Sequence, residues 1–321
     1  MRVALALGAL ISVSPAHAQH WAIEDPGQGP VALAPGDVGA HELSGLAWAG
    51  GERYYAVSDN GGRLLRLRIE VEPAHGTVRY AAVDGVVRLA LAKDLEGVAM
   101  GPDGTSVFVT DEVGPALREY SIADGHPLRS ARVPALFTKS IRSNLGFEAL
   151  ARDAHGVLWT ANEDALRVDG PTSSTASGSW VRVQRFDASL QATGQWAYWL
   201  DAVDGAMVLP SRGTGLSELV ALPDGRLLAL ERSLSLAGLR IRLYEVELGA
   251  ATDVSTLPGL VGAHFTPLKK HLLWERTFLH ENFEGAALGA RLGDGSHSLL
   301  LIADDGHDLS QALYALRLRR R

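Results

Sequence analysis

Five times along the chain, a short apolar run with Ser or Glu near its start is followed, after a turn, by a second apolar run that ends in polar or acidic residues. The first runs are Leu43-Ser44-Gly45-Leu46-Ala47, Leu95-Glu96-Gly97-Val98-Ala99, Phe147-Glu148-Ala149-Leu150-Ala151, Ser217-Glu218-Leu219-Val220-Ala221 and Phe283-Glu284-Gly285-Ala286-Ala287. The second runs end in Ser58-Asp59-Asn60, Thr110-Asp111-Glu112, Ala161-Asn162-Glu163, Leu230-Glu231-Arg232 and Ala303-Asp304-Asp305. Turns such as Pro102-Asp103-Gly104, Pro223-Asp224-Gly225 and Asp294-Gly295 supply the positive-φ position that a tight hairpin needs. Further strand-like sequence follows each hairpin: Leu65, Leu67, Ile69 and Val71 alternate with Arg66, Arg68, Glu70 and Glu72 in the period-two pattern of a half-buried strand. No segment shows a 3.6-residue apolar stripe of helical length, although 140–150 has room for a turn or two. The class is all-β.

A repeat of roughly 50 to 70 residues, each holding about four short strands, is the signature of a β-propeller, whose blades are small twisted sheets around a channel. Five blades are counted, and the longer repeats at 145–213 and 215–281 leave room for a sixth. The last hairpin is followed by one more strand near 312–318, so the missing fourth strand is expected from residues 20–34, closing the ring by pairing the two chain ends. Residues 169–178, rich in Ser, Thr and Gly, read as a loop inside the third blade, and Arg319-Arg320-Arg321 as a frayed end.

Composition narrows the chemistry. The chain has 321 residues with 30 Lys and Arg against 37 Asp and Glu, a net charge of −7, which excludes the clustered basic surface that nucleic acid requires. Cysteine is absent, so disulfides, thiolate-bound zinc, iron–sulfur clusters and cysteine nucleophiles are excluded with it. At the start, Arg2, the apolar residues 3–13 and Ala16-His17-Ala18 have the form of a signal peptide over 1–18, leaving 19–321 as one propeller domain. The apolar stretch is shorter than the ~20 residues of a membrane span. A periplasmic or secreted protein is expected, in a compartment where calcium is plentiful.

In a propeller the first strand of a blade lines the channel and the second runs back beside it. That geometry sets Glu96 beside Asp111, Glu148 beside Asn162, Glu218 beside Glu231 and Glu284 beside Asp304, with Ser44 opposite Asp59, all at one face. So many carboxylates around a narrow mouth repel one another unless protonated or neutralised by a cation, and hard oxygen donors favour calcium or magnesium. Calcium is the expected cofactor, held by a subset of Asp59, Glu96, Asp111, Glu148, Asn162, Glu218, Glu231, Glu284 and Asp304. A second reading stays open beside it: a glutamate at the start of an inner strand can accept backbone N–H groups, and Asp or Asn at a strand end can close an Asx turn, so the repeat would be blade architecture.

Three segments carry a family likeness. Asp94-Leu95-Glu96-Gly97-Val98-Ala99, then Arg142-Ser143-Asn144-Leu145-Gly146-Phe147-Glu148, then Asn282-Phe283-Glu284-Gly285 with Ala303-Asp304-Asp305 resemble the esterase-like phytase family over about residues 40–318. The resemblance implies an exported propeller and hydrolysis of phosphate or carboxylic esters. Ser44 and Arg232 depart from the acidic repeat. No Gly-x-Ser-x-Gly elbow, His-Glu-x-x-His motif or Walker loop is present, so the hydrolysis expected is metal-assisted phosphoester cleavage, with Glu148 and Glu284 as catalytic carboxylates. Lys93, Lys139 and above all Arg142, whose planar fork suits phosphate, are the expected substrate binders. A carboxylic ester or lactone hydrolase and a non-catalytic propeller that binds a periplasmic partner are the alternatives. Oligomeric state is left open.

Overall fold

The computed structural model describes residues 20–34, 41–205, 213–304 and 311–321; the leader expected at 1–18 lies outside them. Short strands β1 (Trp21–Glu24) and β2 (Val31–Ala32) open the described chain. Five antiparallel sheets follow. Blade one is β3 (Leu43–Trp48), β4 (Arg53–Ser58), β5 (Arg63–Val71) and β6 (Val78–Arg88); blade two is β7 (Leu95–Met100), β8 (Ser106–Asp111), β9 (Ala116–Ser121) and β10 (Pro127–Ser130). The one α-helix among the described residues, α1 (Ala135–Ser140), leads into blade three, β11 (Phe147–Arg152), β12 (Leu158–Asn162), β13 (Ser179–Phe186) and β14 (Ala192–Leu200). Blade four is β15 (Thr214–Ala221), β16 (Leu227–Ser235), β17 (Gly238–Glu247) and β18 (Lys269–Phe278). Blade five is β19 (Asn282–Arg291), β20 (His297–Asp304) and β21 (Ala312–Arg320), with β1 as its outer strand.

The first strands touch in turn, β3 to β7 to β11 to β15 to β19 and back to β3, so the ring is closed with five blades and no sixth. Closure comes from the N-terminal strand as expected: Trp21 pairs with Arg320 and Glu24 with Arg317. The terminal arginines 319 and 320 are therefore ladder residues rather than a frayed end. The α-helix ends at Ser140, at the start of the 140–150 window, and its Phe137 packs on Phe147 with ring centroids 4.8 Å apart.

Alternation explains why the second strands read as unbroken apolar runs. Each blade is sandwiched between two others, so successive residues of one strand belong to different cores. Leu299 and Leu301 join the core shared with blade four, while Leu300 and Ile302 join the core shared with blade one. Leu228 and Leu230 likewise face blade five, and Leu227 and Ala229 face blade three. Two further cores fill the remaining seams, around Val107 and Val109 and around Phe108 and Leu158, giving one apolar seam per blade junction. Among the described residues no helix is long and apolar enough to cross a membrane.

Toward the axis the inner strands approach too closely at Gly45, Gly97 and Gly285 for any side chain there. A Cβ placed on Gly97 would sit 2.5 Å from the Leu150 Cβ and 2.8 Å from the Glu148 carbonyl oxygen. The Gly97→Ala substitution is expected to lower stability by about 1–3 kcal/mol through overpacking, measured as a fall in the urea midpoint at unchanged m-value.

Candidate functional site

Every inner strand carries a β-bulge near its start, and the bulges decide which side chains reach the channel mouth. The ladders pair Leu43 with Ser58 and then Leu46 with Ala56, Leu95 with Asp111 and then Val98 with Val109, and Phe147 with Asn162 and then Ala149 with Ala161. In the last two blades they pair Leu216 with Glu231 and then Glu218 with Leu230, and Phe283 with Ala303 and then Gly285 with Ile302. By this register Ser44, Glu96, Glu148, Ser217 and Glu284 are equivalent. On the second strands, the residues one step past the paired ones are Asp59, Glu112, Glu163, Arg232 and Asp304.

Most residues of these two tiers line a cavity of about 590 Å³. Eight carboxylates line it: Asp59, Asp94, Glu96, Glu148, Glu163, Asp164, Glu284 and Asp304. Glu112 stands behind Glu148 and Glu163, with one carboxylate oxygen from each of the three within 4.8 Å of the others, and Asp94, Glu96 and Glu112 form a second such group. Arg232 is the single basic residue among the described residues of the lining. Its Nε lies 2.9 Å from Glu284 Oε1 and its terminal nitrogen donates to Glu163 Oε1 at 2.8 Å.

Two sequence motifs now have local reasons. In Asn144-Leu145-Gly146-Phe147-Glu148, Asn144 takes the left-handed turn at φ 55°. Gly146 has no side chain, so Glu112 reaches its N–H at 2.6 Å, while Phe147 anchors under α1 and Glu148 is left facing the cavity. In Asn282-Phe283-Glu284-Gly285, the Asn282 amide donates to Glu284 Oε1 at 2.8 Å and Phe283 is buried against Phe278. Asn282 Oδ1 is buried at the cavity without a hydrogen-bond partner.

Of the residues singled out from sequence, Asp59, Glu96, Glu148, Glu284 and Asp304 meet at this cavity. Asp111, Asn162 and Glu231 do not, because they occupy the paired position one residue earlier, which alternation turns away from the axis. Asp111 accepts the N–H groups of Lys93 and Val113 and faces Arg118; Asn162 accepts from Arg182 N and donates to the Asp164 carbonyl. Glu231 is held by Tyr198 and by Lys270, each at 2.5 Å. Glu218 lies one residue out of register with the other ring glutamates; the equivalent of Glu148 is Ser217. It occupies the place filled elsewhere by Gly45, Gly97, Ala149 and Gly285, and so points to the channel axis. There it accepts the N–H groups of Leu150 and Leu219 at 2.8 and 2.9 Å, and the backbone N–H groups of Ala286 and Leu46 lie near enough to favour its charged form.

The basic residues expected to bind substrate also fall elsewhere. Arg142 donates to the carbonyls of Ala165 and Gly170 at 3.0 and 2.9 Å, bracing the loop that walls the cavity. Lys93 and Lys139 are exposed and outside the lining. The cavity residues that the sequence reading passed over are Asp94, Glu112, Glu163, Asp164, Asn282 and, as a site residue, Arg232. The polar doublets Asp111-Glu112 and Asn162-Glu163 carried the signal, and the member that faces the axis is the second of each.

Burial and mutual repulsion hold these acids toward their neutral forms. Burial, then the charges of Glu163 and Glu112, keeps Glu148 well above the ordinary carboxylate range, and burial with Glu148 does the same to Glu96. Asp59 is pushed up to about 8 by burial and Glu284, Glu163 to about 8 by burial against the pull of Arg232, and Glu112 to about 7 by burial. Every donor in the two groups is an oxygen, which suits a hard divalent cation.

Residues 38–307 match a family described as phytase-like, with esterase-like activity of phytase. No curated protein matches the chain. Among solved structures, hydrazine synthase of Kuenenia stuttgartiensis is 12% identical at a TM-score of 0.39, over 84% of this chain and 58% of that one, so the chain spans little more than half its length. The PQQ-bound aldose sugar dehydrogenase of Streptomyces coelicolor is 13% identical at 0.44, over 94% and 99% of the two chains. Glutaminyl cyclase of Myxococcus xanthus is 13% identical at 0.43, over 94% and 98%. Likenesses this distant say nothing about chemistry.

Two expectations follow from the charge arrangement. Asp59, Glu112 and Glu163 have folded pKa values raised above their unfolded ones, so between about pH 4.5 and 8 the folded chain holds more protons and stability falls as pH rises. Calorimetry of chelator-treated protein should show a lower Tm at pH 8 than at pH 5, and millimolar calcium should raise the pH 8 value. Separately, Glu218→Ala strips buried N–H groups of their acceptor and should cost about 3–5 kcal/mol in urea unfolding, with or without calcium.

Proposed function

The chain belongs to the phytase-like family, and from that premise we propose that it is a metal-assisted ester hydrolase working in the acidic cavity at the channel mouth. The observation that carries this reading is the convergence of buried carboxylates from several blades on one cavity, in groups tight enough to share an ion. Glu112, Glu148 and Glu163 would hold calcium, with Asp94 and Glu96 on the blade-two side and Asn282 Oδ1 as an available neutral oxygen. The chemistry such an ion supplies is Lewis-acid polarisation of the phosphoryl or carbonyl oxygen.

The chain's own groups do the rest. Arg232 lines the cavity from blade four, held between Glu163 and Glu284, where a remaining guanidinium N–H can orient an anionic oxygen of the substrate. Glu284 is aligned by Arg232 and Asn282 through Oε1, and its Oε2 is assigned as acceptor of the proton from attacking water. Phosphoesters are the leading substrate class. A carboxylic ester or lactone is the second, favoured by one specific observation: Arg232 is the only cation among the described residues of the lining, and a multiply charged phosphate gains little from it. Export is part of the reading, with cleavage after Ala18; the intact mass of the mature protein checks it.

The deciding measurement is phosphate release from phytate, alongside hydrolysis of a p-nitrophenyl carboxylic ester, in excess calcium and after chelation. Calcium-dependent phosphate release is expected. Ester turnover without phosphate release would select the second reading, and neither would leave a binding propeller. Glu148→Gln and Glu284→Gln should each lower kcat by about 10²-fold or more with the fold retained; full activity in both would remove the cavity from the chemistry.

A further inference from the structure

Away from the channel mouth, at the seam where the ring is closed, a second set of ligand-type side chains plays no part in the hydrolytic reading. His20 leads the closing strand β1. Glu245 and Glu247 lie on β17, and His271 on β18 stands opposite Glu245 in the ladder. One ligand atom from each of His20, Glu245 and Glu247 lies within 4.8 Å of the others. His20 Nδ1 is 3.3 Å from Glu245 Oε2, and the rings of His20 and His271 have centroids 5.6 Å apart. Two imidazoles bound to one tetrahedral ion through bonds of about 2.0–2.1 Å bring their centroids to about 5 Å, so a small turn of exposed rings completes the set.

We infer that His20, His271, Glu245 and Glu247 form a zinc site that clamps the closing strand onto blade four. The donor set is two nitrogens and two carboxylates, which suits a borderline ion, in contrast to the all-oxygen cavity at the mouth. Glu245 is prepared as a ligand: its side chain is fully buried, Oε1 is held from behind by Arg226, and Oε2 faces His20 and the Trp21 N–H at 3.3 Å. Hydrogen bonding of a ligating carboxylate by an outer partner is the usual support for such a site. Glu247 lies 3.5 Å from the same guanidinium, so one arginine orients both carboxylates. His20 and Glu245 are 225 residues apart in sequence. The four ligands therefore meet only in the closed ring, and zinc would bind the folded chain and not the unfolded one, stabilising closure by mass action.

The test uses the untagged full chain, stripped of metal and then saturated with calcium so that the cavity is not available to zinc. Zinc chloride is titrated in by calorimetry, followed by thermal melts. One equivalent of zinc should bind, and at about a hundredfold excess over Kd the Tm should rise by about 5 °C. His20→Ala and His271→Ala should each weaken zinc binding by more than about tenfold and abolish that rise. Their melts without zinc and their response to calcium should match the parent protein, since both imidazoles are exposed. Absence of stoichiometric zinc binding, or binding undiminished in both variants, would overturn the proposal. Hydrolysis is not part of the readout, and zinc taken up by the cavity would survive both histidine variants, so failure of this site and failure of the hydrolytic reading are told apart.

Discussion

A carboxylate sealed at the axis of the ring sets the geometry of everything above it. Each inner strand is bulged, and the residues following the bulge, Leu46, Leu150, Leu219 and Ala286, turn their N–H groups toward Glu218. Buried amides without partners are costly, and this one acceptor satisfies those of Leu150 and Leu219 from blades three and four while drawing those of blades one and five toward it. Burial still dominates and pushes this carboxyl well above its ordinary range despite those bonds. Only one large side chain occupies the axis, and the equivalent positions are the small residues Gly45, Gly97, Ala149 and Gly285. With the inner strands pinned at that height, the bulged residue of each blade is carried to the mouth of the channel.

The cavity inherits its chemistry from that placement. Side chains one step past the paired register face the axis, and their neighbours face the blade seams, so acidic doublets split into a cavity member and an architectural member. Asp111 closes a turn and Glu231 anchors Lys270 and Tyr198, whereas Glu112 and Arg232 look inward. The repeated polar residues thus fall into two kinds of position one residue apart, one facing the cavity and one serving the blade architecture.

Much of the fold was legible because it rests on periodicity. The five hairpins, the turn glycines and the shortage of strands in the last blade were enough to place the closure between the chain ends. The site was legible only in part, and the missing part was register. A bulge adds one residue to one strand and leaves no mark in the apolar pattern, so aligning Ser217-Glu218 on the glutamates of other blades put Glu218 in the ring in place of Ser217. Arg142 was misplaced for a related reason: a basic residue beside a ring glutamate in sequence is not bound to share its cavity, and here carbonyls of the 165–170 segment claim its guanidinium.

The departures from symmetry say most about what the cavity can do. Blades two and three contribute a glutamate to both tiers and blade five a glutamate and an aspartate, while blade one contributes Ser44 and Asp59, which bond to each other at 2.5 Å. Blade four alone contributes no acid, offering Ser217 and Arg232. A fully acidic ring would bind cations equally on all sides and would repel an anionic substrate from every direction. Replacing one blade's pair by serine and arginine gives the mouth a direction, with cation-attracting oxygens concentrated on one wall and a guanidinium on another. An ester needs such polarity, because its electrophilic centre and the oxygen that gains charge must be stabilised from different sides. The break in the repeat at Arg232 is thus the feature that gives the cavity, on the hydrolytic reading we propose, the two-sided polarity an ester would require.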